Sequence, residues 1–492
     1  MLAPRLLGDA DIGWHIRNGE LILQNHAVTR TDPFSSVMGG KPWYAWEWLF
    51  DLTVAALHHW RGLNAVVFFA AVVIALTFAV VFRFTVARGA SLPVAVLFLV
   101  LTFSASTIHL FARPHVVSWL LTIVWFLLLD SGNARRALYW LPLLMLFWAN
   151  LHGGLVAGFA LLGLYLAGAF LELVVTRDSA RKQAISKRLT RLSATAVLTL
   201  LVSTVNPYGY ELDLHIYRYL SDRFLMNNID EFLSPNFHGL PQQCFAVLLL
   251  LTIVTLAASR RKPTPSQLLV LVFAAYSGLF AARNVPVSSM LLMLIAAPLL
   301  SQTINAAATD QSLVPGLRGF LSRYRLFTSR MEAMDHSLRG HLWPCAALLA
   351  GIWICAANGR LGERLLMNAH FDGSRFPAAA TDVIAENHIR GPVLCPDSWG
   401  GYLIYRLYPQ TSVFMDDRHD LFGDQTIKRY LIVMRVAQEW KTVIDVEKLD
   451  WVLVPEGSSL ANVLKQTPPW TIISEDQTAV LFHRSEAEPA TP

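Results

Sequence analysis

The residues best able to do chemistry stand close together near the start of the chain, in Gly8-Asp9-Ala10-Asp11-Ile12-Gly13-Trp14-His15. Two carboxylates two positions apart can divide the work, one removing a proton while the other tunes its pKa or holds a metal. Hard oxygen ligands of this kind suit magnesium or manganese, so Asp9 and Asp11 are candidates for a general base and for ligands of a divalent metal. The same aspartates could cap a helix beginning near Ile12, because the positive end of the macrodipole favours acids there. Capping accounts for one aspartate, though not for the pair together with His15.

Other polar groups recur at intervals along the chain. His109, Arg113 and His115 lie either side of Pro114, a residue suited to the first turn of a helix. Arginine clamps phosphate through paired donors, although snorkelling to lipid headgroups would place Arg113 there equally well. His152 precedes Gly153-Gly154, a reversal where the backbone can approach closely; a hydrogen-bonded turn histidine is the alternative. Arg283 precedes Asn284 and Pro286, and could bind a lipid phosphate or anchor the interface. The long stretch from Asn206 to Pro241 carries Glu231 and His238 among tyrosines and other acids, a composition that suits an acceptor site or a lid. Near the C-terminus, Asp397-Ser398 and Asp416-Asp417-Arg418-His419-Asp420 each follow a strand-like run, the position where α/β sheets bind ligands. Caps or a turn held by its own salt bridges would look the same. Asp416 and Arg418 are counted among the substrate-binding candidates, as are His15 and Glu47, the latter within the aromatic run from Trp43 to Trp48.

The elements that must position these groups are largely apolar. Of 492 residues, 54% are hydrophobic and 15% charged, the balance of an integral membrane protein rather than a soluble one. The net charge is +5, but the basic residues fall in short clusters between apolar runs, so they read as topology signals and not as a nucleic-acid footprint. Cys244, Cys345, Cys355 and Cys395 show no C-x-x-C spacing and read as inert. Apolar runs over residues 62–84, 91–108, 114–131, 137–151, 153–176, 190–206, 241–257, 265–282, 287–304 and 341–358 predict about ten spans.

Basic residues concentrate in alternate loops, at Arg83 and Arg88, Arg135 and Arg136, Arg177 to Arg191, Arg260 to Lys262, and Arg318 to Arg339. These loops are cytoplasmic by the positive-inside rule. Lysine and arginine alone fix this topology, yet the candidate clusters all fall on the opposite, exoplasmic side. An exoplasmic segment 1–61 carrying Arg5, Arg17, Arg30, Lys41 and Arg61 leads us to expect a transmembrane helix upstream of Met1. Within it, Ile12 to Gln24 reads as an amphipathic helix lying in the membrane interface, with Asp11, His15 and Asn18 on one face. Residues 62–358 form the membrane domain. Residues 359–492 have a soluble balance, with strand-like runs near Val393, Ser412, Trp451, Trp470 and Ala479 alternating with helices, which predicts a small α/β domain with a partly parallel sheet.

The opening motif, followed by interfacial helices and many spans, resembles the GT-C superfamily of polyprenyl-phosphate-sugar-dependent glycosyltransferases. The runs Ala112 to His115, Trp148 to Gly154, Arg283 to Pro286 and Val413 to Arg418 are similar to bacterial members of unassigned specificity. The resemblance implies a polytopic helical fold with a C-terminal α/β exoplasmic domain, in the cytoplasmic membrane. It also implies a lipid-linked sugar donor, an acceptor that is a glycan, lipid or protein, and Asp9 or Asp11 as catalytic base. The chemistry expected is inverting transfer, with Arg113, His115 or Arg283 stabilising the departing phosphate. Two other classes fit a polytopic chain: a transporter or flippase of lipid-linked saccharides, and a non-catalytic scaffold. The ionisable residues gather at one interface instead of mid-span, and no internal repeat is visible, which favours the enzyme.

Overall fold

The computed structural model describes residues 3–337, 340 and 342–485. Each of the ten apolar runs lies on a helix, from Trp48–Ala87, Leu92–Ser106 and His115–Asp130 through to Val285–Ala307 and Leu342–Ala356. His341, where the last run was expected to begin, and Arg339 lie outside the described residues. Five helices among the described residues are long and apolar enough to cross a bilayer. His115–Asp130 and Pro265–Phe280 are apolar but have 16 residues each, fewer than the roughly 20 that a hydrocarbon core requires. Ala134–Leu151 and Ser179–Ser203 open with arginines and lysines, which dilute their apolar character.

Local chemistry sets the helix boundaries. Thr264 and Gln267 form a reciprocal capping box with Pro265 in the first turn, and Pro286 occupies the first turn of Val285–Ala307. Trp48–Ala87 is two helices joined at a kink, where Gly62 adopts φ 58° and the preceding Arg61 also leaves helical geometry. A residue without Cβ takes that positive φ at little cost. The kink turns the arm carrying Trp48 to Trp60 away from the long span that follows.

The two ends of the helices differ chemically. His115–Asp130 begins beside Arg113 and ends at Asp130, and Val285–Ala307 begins beside Arg283 and ends past Gln302. At the Asp130 end, a cavity of about 480 Å³ is lined by Arg88, Arg261 and Lys262 over Leu294 and Leu299. There the Asp130 carboxylate accepts from Arg88 at 2.7 Å and Tyr165 at 2.6 Å, and also from Gln267.

The C-terminal sheet has five strands in the order Ser412–Val413, Pro392–Leu394, Trp451–Pro455, Ala479–Arg484, Trp470–Glu475. The first three run parallel and the last two pair antiparallel. The N-terminal segment packs into this domain and not only against the spans. Phe34, Trp14 and Trp43 share a buried cluster with Val413, Phe414 and Trp399, and Ser35 bridges to Val413 beside the edge strand.

Helix Asp11–Asn25 matches the expected boundaries, and its apolar side is taken up by protein. It packs against the Trp48 arm and helix Asp397–Leu407, with Ile12, Ile16 and Asn18 all buried and Leu23, Gln24 and Asn25 exposed. Close approach depends on glycine. A Cβ on Gly13 would stand 2.2 Å from the Gly401 carbonyl oxygen, and one on Gly401 would stand 2.4 Å from that of Ala10. Gly13→Ala must push the two helices apart, and we expect it to lower stability by about 1–3 kcal/mol, as overpacking does. A thermal midpoint equal to wild type would show that the helices are not packed this closely.

Candidate active site

Arg113 is the centre of the charged network. Its Nη1 donates to Asp9 Oδ2 at 2.9 Å and to Glu231 Oε1 at 2.7 Å, and its Nη2 pairs with Asp11 Oδ2. The loop before Pro114 supplies the arginine, the chain start supplies both aspartates, and the turn Asp230–Phe232 supplies Glu231. Burial would raise the Glu231 carboxyl, but Arg113, His109 and Arg283 together hold it well below its ordinary value. Arg283 lies 4.0 Å from Glu231 and over the Phe232 ring, which leaves its charge less neutralised than that of Arg113.

Asp9 has two roles. Its Oδ1 accepts the Asp11 backbone N–H at 3.0 Å, so it does help to cap the helix, while its other oxygen meets Arg113. Asp417 completes the acidic face: carboxylate oxygens of Asp9, Asp11 and Asp417 all lie within 4.8 Å of one another. Asp11 Oδ1 and Asp417 Oδ1 are buried and have no hydrogen-bond partner among the described residues, an arrangement that is costly unless something meets them. Burial, then the charge of Asp9, pushes Asp417 up to about 7. Three carboxylates with two orphaned oxygens are the donor set that a hard divalent cation takes.

A second constellation lies alongside. Glu47 Oε2 is 3.7 Å from His15 Nε2, and Glu47 Oε1 is 3.5 Å from His152 Nε2. His15 Nδ1 is 2.5 Å from Asp51 Oδ1, and Asn18 donates to the other Asp51 oxygen at 2.6 Å. His152 Nδ1 accepts from the Gly154 N–H at 3.0 Å and is 2.7 Å from Ser118 Oγ. Burial, and then the charge of Asp51, raises Glu47 well above its ordinary value. A carboxyl raised on folding favours the fold fully below about 4.5, and that benefit is lost as pH rises through its folded pKa. Glu47→Gln should therefore melt higher than wild type at about pH 8, with the gap closing toward about pH 4.5. A variant less stable than wild type at both would contradict this sign.

These groups, with Arg283 and Tyr219, open on one cavity of about 610 Å³. His109 and His115 line it, His115 Nε2 donating to the His109 carbonyl at 2.8 Å. Arg418 also reaches it, though most of its guanidinium is committed: Nε and Nη2 donate to Asp416 at 2.8 and 2.6 Å, and Nη2 lies 2.9 Å from Asp32. It sits 4.5 Å from the Trp43 ring centroid, and its Nη1 has no hydrogen-bond partner among the described residues.

Two expected substrate contacts are corrected. Asp416 is buried behind Arg418 and does not line the cavity, so it positions that arginine. His238 is exposed, in an Asx turn in which Asn236 accepts its N–H at 3.1 Å. The stretch from Asn206 folds into helices Tyr210–Ser221 and Arg223–Asn228, which carry Glu231 into the cavity and leave His238 outside it.

Three site residues were absent from the expected set: Asp51, Asp417 and His419. Asp51 is four residues after Glu47 on the same helix face, a spacing that marks it. Asp417 and His419 lie in the acidic run already noted, and His419 Nε2 is 3.0 Å from Asp397.

The overall architecture has counterparts among solved structures. An Archaeoglobus fulgidus oligosaccharyltransferase, tethered to an acceptor peptide containing the NVT sequon, superposes with TM-score 0.56 at 12% identity, over 91% of this chain and 65% of that one. The same organism's AglB, in complex with an inhibitory peptide and a dolichol-phosphate, gives 0.55 at 11% over 98% and 71%. Both neighbours belong to the GT-C superfamily. This chain has the GT-C fold. It spans about two thirds of the oligosaccharyltransferase length, and it is a multi-pass membrane protein. ArnT from Cupriavidus metallidurans superposes with TM-score 0.48 at 14% identity over 96% and 93%. No family model and no curated protein matches the sequence.

Proposed function

We propose that this GT-C chain is a glycosyltransferase that takes a sugar from a polyprenyl-phosphate donor, with inversion, on the exoplasmic face of the cytoplasmic membrane. The observation that carries the reading is the cavity at one end of the helices, in which Arg113 is locked by three carboxylates while Arg283 is less neutralised and the buried oxygens Asp11 Oδ1 and Asp417 Oδ1 have no hydrogen-bond partner among the described residues. The dolichol-phosphate bound by AglB supports a lipid phosphate as the donor's handle. The basic clusters of the alternate loops, with Arg88, Arg261 and Lys262 gathered at the opposite end of the helices, support the exoplasmic face.

In this chemistry a cavity carboxylate, for which Asp9, Asp11 and Glu47 are the candidates, takes the proton of the acceptor nucleophile. The nucleophile attacks the anomeric carbon opposite the phosphate, and the sugar–oxygen bond breaks with its electron pair leaving on the phosphate. Arg283, with Arg418 Nη1, meets that developing charge with donors already in place. Asp9, Asp11 and Asp417 would hold a divalent cation such as magnesium or manganese, which when bound supplies Lewis-acid stabilisation of the same charge.

Proteoliposomes containing the protein, labelled polyprenyl-phosphate sugars and a panel of glycan, lipid and peptide acceptors test the reading. The expected result is free polyprenyl phosphate and a labelled product. Movement of intact lipid-linked sugar across the bilayer without conversion would establish a transporter instead.

A further inference from the structure

Asp9 and Asp11 carry the motif of a catalytic base, yet both are committed to Arg113 and to the acidic face with Asp417. Glu47 is differently placed. It lines the cavity with about one tenth of its side chain exposed, and no arginine or lysine pairs with it among the described residues. We infer that Glu47 is the group that accepts the proton of the acceptor nucleophile, and that the His15–Asp51 pair positions it. This role rests on the glycosyltransferase reading above.

The hydrogen bonds around the two histidines fix their tautomers. Trp148 Nε1–H donates to Ser118 Oγ at 2.8 Å, so Ser118 turns its own hydrogen toward His152 Nδ1 at 2.7 Å. The Gly154 N–H points at the same nitrogen. Nδ1 is therefore an acceptor, and the proton of neutral His152 resides on Nε2, facing Glu47 Oε1. His15 is the reverse. With Asp51 ionised, both its oxygens accept, one from His15 Nδ1–H and one from Asn18, whose own oxygen is held by Thr29 Oγ1 at 2.6 Å. The His15 proton is thus on Nδ1, and Nε2 presents a lone pair to Glu47 Oε2.

Glu47 consequently stands between a donor on one side and an acceptor on the other. In the step proposed, the acceptor O–H or N–H bond breaks and its proton goes to Glu47. The acceptor's electron pair forms the bond to the anomeric carbon, and the displaced pair leaves on the phosphate. Glu47 then gives its proton up to solvent through the open cavity, while His15, whose protonation is opposed by burial and by Arg113, His152 and Arg418, stays neutral and faces Glu47 Oε2. The charged and titratable groups facing Glu47 are Asp51 from its own helix, His15, His152, Arg113, Arg283 and Asp420. Burial, and then the charge of Asp51, raises its carboxyl, which makes Glu47 a stronger base than an exposed glutamate.

The test compares wild type with Glu47→Gln, Glu47→Asp, Glu47→Ala and His15→Asn in transfer from a labelled polyprenyl-phosphate sugar, with binding of polyprenyl phosphate measured in parallel. Glu47→Gln should lower kcat by roughly 10²- to 10⁴-fold, the usual worth of general base catalysis, with binding unchanged. Glu47→Asp should retain part of the rate, and added formate should rescue Glu47→Ala. His15→Asn should shift the acidic limb of the pH–rate profile without loss of binding. Wild-type turnover with Glu47→Gln equally active, or no formate rescue alongside lost binding, overturns this role and leaves the glycosyltransferase reading standing. No turnover by wild type with any donor overturns both.

Discussion

Arg113→Ala is expected to be the most damaging single substitution in the chain, for stability and for activity together. The guanidinium is shared by Asp9, Asp11 and Glu231, and its removal would leave three partly buried carboxylates facing one another across the space it occupied. Breaking a buried charge pair by removing one partner costs on the order of 3–5 kcal/mol, because the remaining charge is uncompensated. Three partners for one cation place this case at the upper end, so the variant should express poorly or melt far below wild type. Arg113→Lys keeps the charge but offers one ammonium where the fork now reaches carboxylates from both nitrogens. It should fold, with weakened activity, because Asp9 and Asp11 are no longer held in register. Thermal unfolding of the three proteins in detergent decides the matter, and an Arg113→Ala variant as stable as wild type would show that the carboxylates do not depend on this arginine.

Asp417→Asn should separate metal binding from folding. Asp417 Oδ1 is buried and has no hydrogen-bond partner among the described residues, so an isosteric amide breaks no hydrogen bond made there by that oxygen. If Asp9, Asp11 and Asp417 hold a divalent cation, manganese or magnesium should raise the melting temperature of wild type. Linkage gives about 2.7 kcal/mol at a cation concentration of roughly 100 times Kd. The asparagine variant should lose most of that response while its cation-free melting temperature stays near or above that of wild type. Transfer by the variant should fall by at least about 100-fold, since losing even the outer partners of a metal ligand costs 10- to 100-fold. Equal stabilisation of both proteins by the cation would remove these three residues as its ligands.

Much of this arrangement is legible in the chain because membrane segments obey strong rules. Long apolar runs must be helical when no water can satisfy the backbone, and each of the ten runs lies on a helix. The separation of basic from acidic loops anticipates that Asp9, Arg113, His152, Glu231 and Arg283 meet at one end, and they do line one cavity. What stayed hidden depends on tertiary packing. Asp416 and Asp417 are adjacent beyond the edge strand, and only the fold decides that one braces Arg418 while the other turns to Asp9 and Asp11. Asp51 looks like a first-turn helix acid, until helix Asp11–Asn25 packs over it and brings His15 and Asn18 to its oxygens. His238 misleads because the run from Asn206 looks like one long loop, whereas it folds into helices that end the approach to the cavity at Glu231. Nor does the sequence show that Trp14, Phe34 and Trp43, far apart along the N-terminal segment, meet around Arg418.

A single-turnover experiment is the most direct measurement: purified protein in nanodiscs, in excess over a radiolabelled polyprenyl-phosphate sugar, with wild type run beside Asp11→Asn. Wild type should release polyprenyl phosphate and pass the label to an acceptor or to water, and Asp11→Asn should do so on the order of 100-fold more slowly or not at all. Consumption of no donor by wild type, or equal rates for the two proteins, would show that this cavity is not the site of sugar transfer.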